Sequence, residues 1–505
     1  MTKRHSPSRR QFVQGLAALT GATAGSSALL QPSALAQASA DPKFLIVLCA
    51  GGGGSIIDGP LAIRASECAT PDLINTFPDE LVKGWSDSPF RAVDQSGSDL
   101  GPIPASFSVN PSEIMERRRH ELMVATWTRT SVNHAIGQRR AITGNEAWKG
   151  RTLQEMVAWQ YGAEAPIPNV HLLAGYGFSE PGTDNTLPLW ARGQLVANPA
   201  TWPLSLDGAK GLKQPMSPEV LAAIRAQRND VFEPGTRFQQ VFDGSPRLVE
   251  WSELRGTPQE RIEGLDLINK LMVQPDSADF PLADFGLDGS PTGQAVREAF
   301  PNYHIDPLHA QAALAFLLLK YRVSVSVTLG PTADFIYDDS ATGGSNILPH
   351  NSVLNPPLAF DSSHQGHRPA QAVGWEKILR AADGLITLLS NEDYGDGTSL
   401  WDRTLIYVAT DFGREKHRPP GALDWGSGHH LNNGVMVFSP LVPGNTLRGG
   451  IDRDTGLTYG FDPSTGDPEP GREMEEADIF SGLLGALGVD TSGSGLPDVP
   501  AMRKA

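Results

Sequence analysis

Residues 43–49 read Lys-Phe-Leu-Ile-Val-Leu-Cys, and this short run decides the fold class. After the lysine every residue is apolar, without the alternation of a strand that has one solvated face. Such a run is typical of a strand buried on both faces, as in a parallel sheet covered by helices. Four glycines at 51–54 and then Asp58-Gly59 follow it. They predict a turn at the carboxyl end of this strand.

Strand and helix signals then alternate along the rest of the chain. This alternation predicts an α/β fold, with a mainly parallel central sheet and helices on both faces. In such sheets ligands bind beyond the carboxyl ends of the strands. The further predicted strands are 121–126, 323–329, 404–409 and 434–438, and the predicted helices are 134–143, 152–159, 308–321, 375–389 and 477–487.

The charge balance restricts the partners of the protein. The chain has 505 residues, with 41 Lys and Arg against 57 Asp and Glu. Residues 1–36 carry four of the basic residues and no acid, so the remainder has 37 basic and 57 acidic residues, a formal charge of −20. This charge argues against non-specific binding of nucleic acid. An anionic substrate would need a local positive centre, such as a metal ion or a suitably placed arginine.

The N-terminus has the features of an export signal. Residues 8–13, Ser-Arg-Arg-Gln-Phe-Val, resemble the twin-arginine consensus, and a weakly apolar stretch and Ala34-Leu35-Ala36 follow. The alternative is a chance arginine pair before an apolar helix. The signal predicts a peptide over 1–36, the twin-arginine translocase as a partner during export, and a periplasmic or secreted location. The mature domain is then 37–505, without a stable membrane span and with a helical insertion or cap at about 195–300.

Metal-binding side chains are concentrated in three segments near the C-terminus, at 360–367, 410–414 and 426–430. Six of the twelve histidines fall between His350 and His430. Imidazole and carboxylate groups are the nitrogen and oxygen ligands of zinc, manganese and iron. The sequence therefore predicts a site for a divalent metal, zinc or manganese, with one or two ions.

The candidate metal ligands are Asp361, His364, Asp411 and one or both of His429 and His430. Asp361 and His364 are three residues apart on a predicted loop, where an Asx turn and a surface histidine are the alternative. Asp411 follows a buried strand, and a carboxylate there must be paired or ligated. The alternative is that it pairs with Arg414. The sequence does not decide which of the two adjacent histidines faces the site.

The candidate catalytic residues are Thr130, Ser131, His134 and Arg414. Thr130 and Ser131 precede the helix predicted over 134–143, and a hydroxyl at a helix N-terminus lies near free amides that stabilise an oxyanion. The alternative is that one of them only caps the helix. Arg414 is a candidate for bidentate binding of a substrate oxyanion.

The order of these motifs resembles that of the alkaline phosphatase/sulfatase superfamily. More closely, it resembles the twin-arginine-exported bacterial family known as domain of unknown function 1501. The resemblance implies an alkaline phosphatase/sulfatase-like fold in which Asp361, His364 and a C-terminal histidine bind one metal and Asp411 serves a second. Phe412 stands where the superfamily often has a histidine, and no carboxylate directly follows the first strand. These departures keep a single metal, or an eroded site, as alternatives.

We therefore expect an exported metal-dependent hydrolase of phosphate or sulfate esters, acting on a small anionic substrate. Ser131 or Thr130 would be the nucleophile, and the metal would polarise the anionic group. The alternative is a non-catalytic exported binding or assembly protein with an eroded metal site.

Overall fold

The computed structural model describes residues 41–96, 109–172, 177–196, 198–199, 202–203, 220, 237, 240, 245, 267–272, 290–303, 306–331, 335–339, 344–348, 359–423 and 425–504. The predicted signal over 1–36, and most of the predicted insertion at about 195–300, lie outside these ranges. The strands are β1 Phe44–Ala50, β2 Val82–Gly84, β3 Arg91–Val93, β4 Leu122–Trp127, β5 Asn169–His171, β6 Gln194–Leu195, β7 Ser326–Leu329, β8 Phe335–Asp339, β9 Gly344–Leu348, β10 Thr404–Thr410, β11 Gly413–Arg414, β12 His429–His430, β13 Asn433–Phe438, β14 Thr446–Arg448, β15 Gly450–Ile451, β16 Thr458–Phe461 and β17 Pro468–Glu469. The helices are α1 Ser112–Arg118, α2 His134–Thr143, α3 Leu153–Tyr161, α4 Leu267–Leu271, α5 Pro291–Ala299, α6 Pro307–Lys320, α7 His367–Ser390 and α8 Glu476–Ala486.

One large sheet organises the described residues. Its eight strands lie in the order β14-β4-β13-β10-β1-β7-β5-β6. Among these strands β13 alone runs against the others, pairing antiparallel with both β10 and β4, while every other neighbouring pair is parallel. The prediction of an α/β fold with a mainly parallel sheet is confirmed.

The central strand β1 is buried along its whole length, as the apolar run predicts. Each of its side chains is at most 1% exposed. Because successive side chains of a strand point to opposite faces, both faces of the sheet are covered there. The helices that contact the sheet form two groups: α2, α3 and α8 pack on one another, and α6 packs on α7, which also contacts α5. No described helix is both long and apolar enough to cross a bilayer.

Four strand ends meet at one edge of this sheet because of the strand directions. β1 and β10 run parallel with Ala50 paired to Thr410, so their carboxyl ends lie side by side. β4 ends at the same edge and leads into α2, while the antiparallel β13 begins there. A 3-10 turn, Ala359–His364, leads into α7, which begins at His367 rather than at the predicted Trp375. The ends of these elements hold the predicted functional residues.

Candidate metal centre

Three histidines and one aspartate converge at this edge. His134, Asp361, His364 and His429 each offer one ligand atom, and these four atoms lie within 4.8 Å of one another. They come from the first turn of α2, the 3-10 turn Ala359–His364 and β12. Three imidazole nitrogens and one carboxylate oxygen are a donor set that suits zinc, manganese, iron or copper. A group of His and Asp residues able to hold a metal ion is therefore present.

His134 lies between two carboxylates. It is the first residue of α2, and the Asn133 side chain caps the helix by accepting from the N–H of Ile136. The Nδ1 atom of His134 is 2.8 Å from Asp411 Oδ2, and its Nε2 atom is 3.1 Å from Asp361 Oδ1. Its ring therefore reaches from the sheet edge, at Asp411, to the centre of the cluster, at Asp361.

Asp411 lies behind the cluster rather than in it. Its carboxylate is fully buried and accepts from the backbone N–H groups of Gly52 (3.1 Å) and Gly53 (2.7 Å). These hydrogen bonds and His134 satisfy the carboxylate, so the pairing with Arg414 that the sequence left open is not what compensates it. The sequence prediction placed Asp411 among the metal ligands, whereas the structure gives it the geometry of a group that orients one.

The rings of His364 and His429 face each other. Their Nε2 atoms are 2.8 Å apart, and His429 Nδ1 is 2.6 Å from the carbonyl oxygen of Val132. Since that carbonyl can only accept, His429 donates Nδ1–H and its Nε2 carries a lone pair when the ring is neutral. Two ring nitrogens at 2.8 Å need a proton or a cation between them, because two lone pairs would repel each other. The His429 ring stacks on Phe412, with ring centroids 4.0 Å apart.

Arg414 is fully buried and its donors are used by the protein itself. The guanidinium donates to the carbonyl oxygens of Gly52, Phe360 (3.2 Å) and Ser427 (3.1 Å). One nitrogen is also 3.4 Å from Asp361 Oδ1. Arg414 thus joins the glycine turn, the 3-10 turn and the loop before β12. The predicted role of holding a substrate oxyanion is not supported by this geometry, because the side chain has no exposed surface.

The charges in the cluster shift the pKa values of its members in opposite directions. Burial opposes protonation of His134, but hydrogen bonds to Asp361 and Asp411 outweigh it and raise the pKa of His134 to about 9. Burial likewise opposes ionisation of Asp361, yet His134 and Arg414 lower its pKa to about 2. Burial, together with nearby positive charge, lowers the pKa of His429 to about 4. Near neutral pH His429 is therefore a neutral imidazole.

The remaining predicted site residues lie outside the group of four. His430 Nδ1 accepts from the backbone N–H of Asn432. The Thr130 hydroxyl donates to the carbonyl of Asp411 (3.4 Å), and the Ser131 hydroxyl accepts from the N–H of Asn133 (3.1 Å). The structure therefore answers which of the paired histidines faces the cluster: it is His429.

One member of the cluster was predicted in a different role. His134 was predicted as a catalytic residue near a nucleophile, whereas its Nε2 atom lies among the candidate ligand atoms. The sequence also gave no sign that Asp58, His367 and Ser427 form a connected buried group beside the site. Their separation along the chain hides this contact.

Comparisons with known proteins add little to this geometry. No family model matches the chain, and no curated protein matches it. Among solved structures the chain is similar to two crystal structures of Ps i-CgsB, one of them in complex with k-i-k-neocarrahexaose. The identities are 11% and 10%, the TM-scores are 0.29 and 0.28, and each alignment covers 91% of this chain and 75% of that chain. A likeness at this level carries no argument about fold or function.

Proposed function

We propose that His134, Asp361, His364 and His429 bind one divalent metal ion. The observation that carries this proposal is the orientation of the rings. His134 and His429 each have Nδ1 against an acceptor, Asp411 and the carbonyl of Val132, while Nε2 faces the cluster. Metal-binding histidines are usually held in this way, with the second nitrogen donating to a carboxylate or a carbonyl.

We further propose that the protein is a metal-dependent hydrolase of phosphate or sulfate esters. A bound metal ion supplies Lewis-acid polarisation of an anionic ester group and lowers the pKa of water. The side chain of His364 is 38% exposed, so one side of the cluster is open to solvent and to a small substrate. On a domain with a formal charge of −20, such a cation would be the local positive centre that an anionic ester requires.

Water is the more suitable nucleophile in this proposal. Both predicted hydroxyls, Thr130 and Ser131, bond to the backbone, and Thr130 is buried. We keep the alkaline phosphatase/sulfatase-like superfamily, twin-arginine export and a periplasmic or secreted location as parts of the same proposal. They rest on the motif order and the N-terminal residues given above.

The second candidate function is a non-catalytic exported binding or assembly protein. Two observations favour it: Arg414 is enclosed by carbonyl groups, and the described residues contain one group of His and Asp able to hold a metal rather than two. A single ion could then support the structure of the sheet edge without any turnover.

Metal content and hydrolysis measured on matched variants test these candidates. The chain is expressed with its N-terminal residues, purified, and analysed for metal per chain and for turnover of aryl phosphates and aryl sulfates. We expect about one ion per chain, turnover that a chelator abolishes, and loss of both in His429→Ala but not in His430→Ala. A metal-loaded protein without turnover favours the binding protein, and a wild type without metal contradicts both the site and the hydrolase.

A further inference from the structure

Asp58, His367 and Ser427 form a continuous buried chain of side chains beside the candidate metal centre. The Nε2 atom of His367 is 3.1 Å from Asp58 Oδ2, and its Nδ1 atom is 2.8 Å from Ser427 Oγ. None of the three residues is more than 4% exposed. The His367 ring also stacks on Trp425, with ring centroids 4.8 Å apart. These residues come from three distant parts of the sequence, so the fold assembles this group.

The donor and the acceptor can be assigned in the hydrogen bond between His367 and Asp58. Asn75 donates to both carboxylate oxygens of Asp58, at 2.9 and 3.0 Å. Although burial opposes ionisation, the charge and hydrogen bond of His367, together with Asn75, lower the pKa of Asp58 to about 2. An ionised carboxylate can only accept, so His367 must donate Nε2–H to it. This fixes the ring of His367 and leaves its Nδ1 atom aimed at the Ser427 hydroxyl.

Ser427 in turn holds the candidate ligand His364 through its backbone. Its N–H donates to the carbonyl of Ser363 at 2.8 Å, one residue before His364. Its carbonyl accepts from Arg414 at 3.1 Å and is hydrogen-bonded to the His364 ring. Ser427 also lies two residues before His429 in the sequence. Any movement of Ser427 would therefore shift the backbone next to both candidate ligands, His364 and His429.

The arrangement resembles that of a serine nucleophile with a histidine base, but its burial excludes that role. Ser427 is only 1% exposed, so an ester could not reach its hydroxyl. Burying an ionised Asp58 beside His367 is also costly, and geometric specificity is one use of such a pair. The position of Ser427 between His367 and His364 points to orientation of the metal ligands.

We propose that Asp58, His367 and Ser427 are positioning residues that fix the His364 ring for metal binding. This inference rests on the proposed metal site, because it assigns the group a role in that site. Groups that orient metal ligands from behind change metal affinity roughly 10–100-fold when removed. The expected signature is therefore weaker metal binding at unchanged stoichiometry, without a matching loss of folding.

Ser427→Ala and Asp58→Asn test the two ends of this group. Ser439→Ala is the matched control, since Ser439 is equally buried (1% exposed) and its hydroxyl donates to the carbonyl of Thr404, at the opposite end of β10. Zn²⁺ affinity is measured by competition with a chelator, the unfolding midpoint by urea, and the His364 ring position by crystallography without metal. We expect about 10-fold or greater loss of Zn²⁺ affinity in the two variants, a displaced His364 ring, and wild-type affinity in the control.

The possible results distinguish failure of the positioning role from failure of the metal site. Wild-type Zn²⁺ affinity and an unmoved ring in Ser427→Ala and Asp58→Asn overturn the positioning role. If the wild type binds no Zn²⁺, the metal proposal fails on its own, and the His364 ring position in the metal-free variants still decides whether the buried group orients that side chain. If Ser427→Ala does not fold, Asp58→Asn, which lies in a different segment, supplies the decision.

Discussion

His134 Nδ1 lies 2.8 Å from Asp411 Oδ2, so a buried carboxylate at the end of β10 fixes the ring nitrogen of this candidate metal ligand that points away from the cluster. The two residues are brought together because β4 and β10 end at the same edge. This contact sets the tautomer in which His134 offers Nε2 to a metal ion.

Asp411→Asn is expected to weaken metal binding without abolishing it. Asparagine can present only one oxygen to the N–H groups of Gly52 and Gly53, so one donor would face an amide nitrogen. We expect a 10–100-fold loss of Zn²⁺ affinity and a free energy of unfolding lower by about 1–3 kcal/mol. Chelator competition and urea unfolding measure the two quantities. Asp361→Asn, which alters a ligand itself, should lose more affinity, and the reverse order would contradict the assignment.

The metal-free protein should lose stability as the pH rises from about 6.5 to about 9. The folded pKa of His134 is raised to about 9, so the charge on His134 stabilises the fold fully below the unfolded value near 6.5 and stops doing so above 9. We expect a difference on the order of 2 kcal/mol between the wild type and His134→Gln to disappear across this window. Urea unfolding in EDTA at several pH values measures it.

Lys416 provides an internal check on that experiment. Burial lowers its pKa to about 8, so its contribution to stability increases with pH, and it does so equally in both proteins. Zn²⁺ affinity should instead rise with pH in the wild type, because the metal displaces the Nε2 proton of His134. If the free energy of unfolding changes with pH in the same way in the wild type and in His134→Gln, the metal-free protein does not gain stability from a protonated His134.

Gly52→Ala should disturb the candidate metal centre far more than a comparable glycine elsewhere. Gly52 has a φ of 94°, and an added Cβ atom would lie 2.4 Å from the backbone nitrogen of Asp361. Gly395 has a φ of 103° but nothing within 4 Å of such an atom. We expect Gly395→Ala to cost about 1–3 kcal/mol of stability from backbone strain alone. Gly52→Ala should cost more and also reduce Zn²⁺ binding; equal effects would show that the close approach is unimportant.

Arg414→Lys should destabilise the fold rather than weaken only the binding of substrate. Lysine cannot reproduce the planar fork that reaches the carbonyls of Gly52, Phe360 and Ser427. We expect the free energy of unfolding to fall by about 3–5 kcal/mol, as for other broken buried charge networks, together with metal affinity. A stable Arg414→Lys protein with normal metal content and a raised KM alone would restore the sequence prediction of an oxyanion-binding arginine.

The elements of the central sheet were predictable because their signals are local. The run at 43–49 and the stretch 404–409 became β1 and β10, and the helix predicted over 134–143 has those bounds in the structure. The direction of β13 was not predictable, since an apolar run looks the same in either orientation. The start of α7 was missed because His367 is polar, and its burial depends on Asp58 and Ser427, which are distant in sequence.

The residue types of the candidate site were predictable from the sequence, but which residues lie in the cluster and which lie behind it was not. Asp361, His364 and His429 are in the cluster, whereas Asp411 lies one layer behind it and His134 lies inside it. A carboxylate after a buried strand must be compensated, but the sequence does not show whether a metal, a histidine or backbone N–H groups do so. Here the glycine turn supplies the N–H groups, and this follows only from β1 lying beside β10.

The central position of β1 also bears on how the chain is synthesised. β1 leaves the ribosome long before its two neighbours, β7 and β10, which begin at Ser326 and Thr404. An apolar strand with both edges unpaired invites association with other chains, and pairing over such distances along the sequence is slow. The nascent polypeptide must therefore keep this apolar strand from aggregating until the residues from Thr404 onward have been synthesised.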